Sequence, residues 1–478
     1  MPPNILLITA DDMGGDTPGC FGGPAQVTPA LDRLAAEGMT FGRAHVAIAV
    51  CQPSRSAIMT GRWPHRNGAQ GFEPIADGVP VLTRVLREAG YMSGILGKVE
   101  HLQPVEAFGW DDARGMRELG MGRDPRAYGE ASRRFMEEAA ARGRPWFLMA
   151  NAHDPHRPYS GGQDELDRFP AEDRASYPAP SKVFGPADDV GGVPGFLPDL
   201  PEVAREYREY LSSSRRCDDV VAEVLRALDE SGAAGDTLVV FLSDNGIAVP
   251  FAKANCYLQS SRTPLIVRWP GVTRPGGREN TAFVSMIDLF PTFCAAAGLP
   301  GPAGLDGLTL LPLLRGEPQG GRDAVFTVFH ETAAKGRYEM RCRQDDRFGY
   351  IWNEWSDGAR EYRAENMMGR TWQAMLAAAS GDERLAERAR FYRHRTPEEL
   401  YDLHADPHSL ADLSGDPDRR QDLDAARRDL LAWMAGTGDP LLDTYRAYLQ
   451  GAAVKALDHP GAVGRPENGV MGYIANTA

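Results

Sequence analysis

Hydrophobic residues along this chain follow two rhythms. Short unbroken apolar runs, Asn4 to Ala10, Pro145 to Ala150 and Thr237 to Ser243, have the length and branching of strands buried on both faces. Met92 to Leu96 and Pro264 to Arg268 read the same way. Between them lie stretches with helical spacing: Thr28 to Gly38, opened by a capping Thr and a Pro in the first turn and closed by Gly; Val81 to Ala89; and Val203 to Leu228. Alternation of strand and helix as far as about residue 315 predicts an α/β fold, a mostly parallel central sheet with helices on both faces. Beyond a Gly/Pro-rich linker, Arg315 to Gly321, the segments Ala324 to His330, Tyr338 to Arg343 and Phe348 to Trp352 predict antiparallel strands, and Arg419 to Met434 predicts an amphipathic helix. The predicted organisation is a large domain over 1–318, a smaller C-terminal α+β domain with an antiparallel sheet over 319–440, and a Gly-, Pro- and Ala-rich tail over 441–478. The stretch Tyr177 to Pro201 is expected to be a long surface loop near the mouth of a cleft.

Composition narrows the functional classes. At 478 residues and 42% hydrophobic content the chain can bury a sizeable core. A formal net charge of −14 argues against nucleic acid as a partner and makes any anion site a local island of positive charge. No apolar run approaches the roughly twenty residues of a membrane helix, so no membrane partner is expected. Six cysteines, at 20, 51, 217, 256, 294 and 342, show neither metal-finger spacing nor the density of a disulfide scaffold. The first strand begins almost at once, which predicts a cytoplasmic protein, or a periplasmic or secreted one if a leader has been removed. The chain could also pair with a second copy of itself.

Candidate chemistry gathers where strands end. Asp11-Asp12-Met13-Gly14 follows the first run and Asp244-Asn245-Gly246 follows the run from Thr237. Taken singly, such motifs are more often turns or caps. Together, acids at the carboxyl ends of two strands repel one another unless a cation lies between them. In a sheet of this kind ligands collect at the carboxyl ends, where Asp11, Lys98, His153 and Asp244 all fall.

The segment Cys51-Gln52-Pro53-Ser54-Arg55, continuing Ser56-Ala57-Ile58-Met59-Thr60-Gly61-Arg62, resembles the signature at which type I sulfatases, of the alkaline phosphatase superfamily, have a cysteine oxidised to formylglycine. Read alone, Cys51 is equally a buried cysteine at a helix start. The resemblance extends from Asn4 to about Trp433. It implies a metal-dependent sulfohydrolase, matured by a formylglycine-generating enzyme, in which one hydroxyl of the hydrated aldehyde attacks sulfur and the other expels sulfate. It implies as metal ligands Asp11, Asp12, Asp244, Asn245 and the formylglycine derived from Cys51, an all-oxygen shell for Ca²⁺, with Mg²⁺ as the alternative. Gly94-Ile95-Leu96-Gly97-Lys98-Val99-Glu100-His101 and His153-Asp154-Pro155-His156 resemble further family segments. With Lys253, which lies beyond the second metal strand where the family has a lysine or arginine, the resemblance implies that Lys98 and Lys253 neutralise the sulfuryl oxygens, that His153 or His101 protonates the leaving atom, and that Arg55 holds the nucleophile.

Within the family, Asp244-Asn245-Gly246-Ile247 with Pro250, Asn255 and Tyr257 is similar to the heparan N-sulfatase branch, although that branch is expected to carry arginine where this chain has Lys253. Phe329-His330-Glu331-Thr332 and Tyr338-Glu339-Met340-Arg341 are also similar to that branch. His156, His330, Glu331 and Arg341 are thereby implied as contacts to a sulfated sugar or other sulfated small molecule, N-sulfoglucosamine-like first. An aryl or alkyl O-sulfatase, a phosphonate or phosphodiester hydrolase, and a sulfated-glycan binder with unmodified Cys51 remain as alternatives.

Overall fold

In the computed structural model, which describes residues 2–454, the first apolar run becomes a central strand. The eight-stranded sheet runs β5 (Asp112–Arg114), β4 (Met92–Leu96), β6 (Trp146–Asn151), β1 (Asn4–Ala10), β7 (Thr237–Ser243), β8 (Leu265–Arg268), β2 (Met39–Phe41) and β9 (Gly277–Glu279). From β5 to β7 every pairing is parallel; β8 alone runs against its neighbours β7 and β2. A short parallel pair, β3 (Ala44–His45) with β10 (Val284–Ser285), lies beside it.

The period of two in β1 builds two cores. Leu6 and Ile8 face the helices Pro29–Glu37, Pro125–Ala141 and Pro201–Glu230, meeting Leu31, Phe135 and Val221. Ile5 and Leu7 face the other way, into a cluster with Ile58, Leu86 and Phe290. The expected Thr28 cap is replaced: Thr28 Oγ1 accepts from the Gly19 amide, and the first helix is capped instead by the Asp218 carboxylate, which accepts from the amides of Ala30 and Leu31 at 2.9 Å each. A capping acid can come from a distant helix because any oxygen that reaches the orphan amides serves.

The chain then enters an antiparallel sheet of β11 (Ala324–Glu331), β12 (Arg337–Asp345), β13 (Phe348–Asn353) and β14 (Glu398–Asp402). One face packs on the helix Arg420–Thr437 through Leu423, Leu430 and Met434. The expected tail contributes a helix, Leu442–Leu449, whose Tyr445 ring lies 4.7 Å from Trp352; the rest of that tail, 455–478, falls outside the described residues. The opposite face shares a core with the large lobe, Phe329, Met340, Ile351 and Tyr401 meeting Val50, Cys51, Phe251 and Tyr257 in one cluster. Between β13 and β14 two helices, Arg370–Ala378 and Glu383–His394, appear where the sequence pattern predicts none. Phe184, Val190, Phe196 and Leu197 anchor the expected surface loop into the shared core. No helix among the described residues is long and apolar enough to cross a membrane.

Candidate active site

β1 and β7 are parallel neighbours, in register through Ala10 opposite Ser243, so the acids that follow them emerge side by side. The Asp12 amide donates to Asp244 Oδ1 at 3.2 Å, and Asn245 Nδ2 donates to Asp12 Oδ1 at 2.7 Å. Asp12 holds φ at +72°, a left-handed conformation that costs a non-glycine residue about 1–2 kcal/mol and turns the second carboxylate toward the first strand end. Asp11, Asp12, Asp244 and Asn245 are all buried.

Cys51 opens the helix Cys51–Thr60, every residue of which is buried. One turn later Arg55 Nη2 lies 2.7 Å from Asp244 Oδ2 and 3.7 Å from Asp11 Oδ2, while Nη1 donates to Thr9 Oγ1 at 2.8 Å and Asn151 Oδ1 at 2.6 Å. A single guanidinium thus fastens the Cys51 helix to three strand ends. Burial pushes the Cys51 thiol up to about 12, more than Lys253 pulls it down, so at neutral pH this position carries an unreactive thiol rather than a thiolate.

Cations and imidazoles surround the acids. Lys98 pairs with Asp11, and Lys253 Nζ lies 2.6 Å from Asp12 Oδ1. His153 Nδ1 stands 3.9 Å from Asp11 Oδ2 and His156 Nε2 stands 4.0 Å from Asp12 Oδ2, their rings stacked at 4.8 Å. His101 presents a buried Nδ1 with no hydrogen-bond partner. Burial first, then nearby lysine charge, holds His101, His153 and His156 well below the usual histidine range. Burial also works against the charge on Asp11, yet Lys98, His156, Arg55 and Lys253 together hold its carboxyl well below the usual carboxylate range. Asp244 goes the other way: burial, opposed by Arg55, pushes it up to about 7, with Asp11 and Asp12 adding repulsion.

These residues fit a divalent cation. Asp11 Oδ1, Asp12 Oδ2 and Asn245 Oδ1 are buried and accept no hydrogen bond, a costly arrangement that a cation relieves. Asp11, Asp12 and His156 offer ligand atoms within 4.8 Å of one another. Carboxylate and amide oxygens suit a hard ion.

The second-lobe residues divide. Arg341 is directed into the protein, with Nε and Nη2 on the Asp439 carboxylate at 2.6 and 3.1 Å and Nη1 on Glu339 at 3.1 Å. His330 Nδ1 meets the same oxygen as Arg341 Nη1, 2.6 Å from Glu339 Oε2. Arg341, implied as a substrate contact, thus has every guanidinium nitrogen engaged in a buried network, whereas His330, implied likewise, keeps a buried Nε2 with no hydrogen-bond partner. Glu331 lies closer to the pocket, accepting from the Phe72 amide at 3.4 Å, while Gln52, next to Cys51, donates to Glu73 O at 3.2 Å.

Two further residues, given no role from the sequence, support the site. Asn151 orients Arg55 through the bond from Nη1. Asp154 joins Arg123 Nε at 3.0 Å to Arg216 Nε at 2.6 Å, and the 153–156 loop hangs from that junction. Burial opposes its charge, but Arg216 and Arg123 hold Asp154 below the usual carboxylate range. Its stabilising contribution is therefore complete above pH ~4, the unfolded carboxylate value, and is lost as pH falls through the lower folded value. Asp154→Ala strands two buried guanidinium groups and is expected to cost about 3–5 kcal/mol in a urea titration at pH 7.

Residues 3–299 match the Sulfatase family, and residues 248–351 match the C-terminal region of N-sulphoglucosamine sulphohydrolase. The chain is 30% identical to human N-sulphoglucosamine sulphohydrolase over 472 residues, covering 92% of this chain and 91% of that one. Human arylsulfatase A is 28% identical over 395 residues, covering 68% of this chain and 70% of the relative. Among solved structures, one in complex with its substrate D-glucosamine-2-N,6-O-disulfate superimposes with a TM-score of 0.69 at 19% identity, covering 93% of this chain and 99% of that one. The phosphonate monoester hydrolase of Agrobacterium radiobacter reaches 0.65 at 21% identity, covering 91% and 96%.

Proposed function

The chain belongs to the sulfatase family, a hydrolase of sulfate esters or sulfamates, and from that premise we propose that it removes sulfate from an N-sulfoglucosamine-like sugar, with Cys51 converted to formylglycine and a divalent cation, calcium, bound by Asp11, Asp12, Asp244 and Asn245. The observation that carries the reading is the meeting of those four side chains, three with unpartnered buried oxygens, around Arg55 of the Cys51 helix. The choice of substrate rests on the match over 248–351 and on the human relative.

When bound, the cation neutralises charge on the sulfuryl oxygens and on the hydroxyl that attacks. The remaining work belongs to the chain. Arg55, locked between Asp244 and Asn151, keeps the attacking side chain on line with the sulfate. Lys98 and Lys253 present ammonium groups to the oxygens as charge builds on them. His153, neutral in the free pocket, gains proton affinity beside an anionic sulfuryl group, so the proton for the leaving nitrogen arrives together with the substrate.

Intact mass and a substrate panel test the reading together. Conversion of Cys51 lowers the mass by about 18 Da, a change of covalent composition alone. Converted protein is expected to turn over N-sulfoglucosamine faster than nitrophenyl sulfate, and both far faster than a nitrophenyl phosphodiester. Phosphodiester turnover dominating by orders of magnitude would overturn the substrate class. An unconverted thiol in protein made beside a competent maturation enzyme would favour a glycan binder.

A further inference from the structure

The segment that carries Lys253 is an unusual piece of backbone. Phe251 and Ala254, on either side of the lysine, hold φ at +65° and +63°, left-handed values that neither side chain prefers. Such a conformation persists only where its surroundings over-determine it. From the large lobe, the Ala254 amide donates to Ala49 O at 2.9 Å, two residues before Cys51, and the Lys253 amide donates to Ile247 O at 3.0 Å. The other restraints come from the second lobe. Asn366, fully buried in the short turn Glu365–Met367, donates from Nδ2 to Lys253 O at 2.6 Å and to Val249 O at 3.3 Å. The Tyr362 hydroxyl donates to Ala254 O, and Asn255 Nδ2 donates to the hydroxyls of Tyr362 and Tyr392 at 3.2 and 3.3 Å.

We propose that Asn366 is a positioning residue for the reaction: by holding the carbonyls of Lys253 and Val249, it fixes the lysine in the left-handed turn that points its ammonium at the anion pocket. This rests on the reading of Lys253 as a sulfate contact. Neither residue is near the other in the chain, and the clamp makes the pocket a product of both lobes. A small shift of the lysine matters because anion affinity and catalysis both depend on its placement; misplacement by about 1 Å can cost on the order of a hundredfold.

The test is a double-mutant cycle on the full-length protein, read by equilibrium titration with inorganic sulfate and by kcat/KM on the best sulfate substrate. Asn366→Ala is expected to weaken sulfate binding and lower kcat/KM, each by roughly ten- to a hundredfold. In the Lys253→Ala background the same change is expected to have less than about a twofold further effect, because the group it positions has gone. Tyr362→Phe, which removes the hydroxyl that donates to Ala254 O and accepts from Asn255 Nδ2, provides a milder second variant and is expected to move sulfate affinity in the same direction. Additive effects of Asn366→Ala and Lys253→Ala, or a lowered unfolding temperature with sulfate affinity and kcat/KM unchanged, would overturn the proposal. Absence of turnover in the wild type would count against the sulfohydrolase reading, and the sulfate titration would then decide the clamp by itself.

Discussion

Cys51→Ala is expected to bring sulfate hydrolysis to background, a fall in kcat/KM on the order of 10⁵-fold, comparable to deleting the nucleophile of other covalent hydrolases. The folded state should tolerate the change. Cys51 is buried in the shared core, so losing its sulfur removes a small apolar volume and costs about 1 kcal/mol. For a chain of this length that corresponds to about 1 °C in unfolding temperature. Calorimetry on the variant beside a turnover assay separates the two roles open to this position. Retained turnover would remove position 51 from the chemistry; a drop of many degrees would make it a packing residue first.

Asp11→Asn has the second largest expected effect. Asp11 is the meeting point of Lys98, Arg55 and His153, and its Oδ1 is one of the buried oxygens without a partner. Exchange of one oxygen for an amide nitrogen weakens the cation site and leaves the lysine and guanidinium without their shared counter-charge. A loss of several kcal/mol of transition-state charge stabilisation translates into about 10³-fold in kcat/KM. Metal analysis of the purified variant should show the divalent ion falling from one per chain toward none, and added calcium should restore part of the activity. A variant that keeps both its metal and its rate would exclude Asp11 from the ligand set.

Much of this arrangement is legible in the order of residues alone. The strands that carry Asp11 and Asp244 are continuous apolar runs, and an acid just after such a run lies at a sheet's carboxyl edge whatever the family. What was not legible had no local signal. The helix Glu383–His394 buries only Ala389 and Tyr392, too few apolar positions to write a helical stripe, so its presence depends on what it packs against. Arg341 lies on a strand, where alternation fixes two faces without saying what the side chain meets; its partner is Asp439, about a hundred positions further on. Asn151, Asp154 and Asn366 are ordinary polar residues until Arg55, Arg216 and the Lys253 carbonyl arrive beside them.

The joint between the lobes has its own consequence. Besides the common cluster of Phe329, Met340 and Ile351 with Val50 and Phe251, the Val328 amide donates to Ala47 O at 2.9 Å, four residues ahead of Cys51. A seam of this kind leaves no hinge across which the halves could breathe independently. Heating should therefore melt the molecule in one calorimetric peak, and a fragment ending near residue 318 should come out of expression as insoluble material instead of a minimal catalyst.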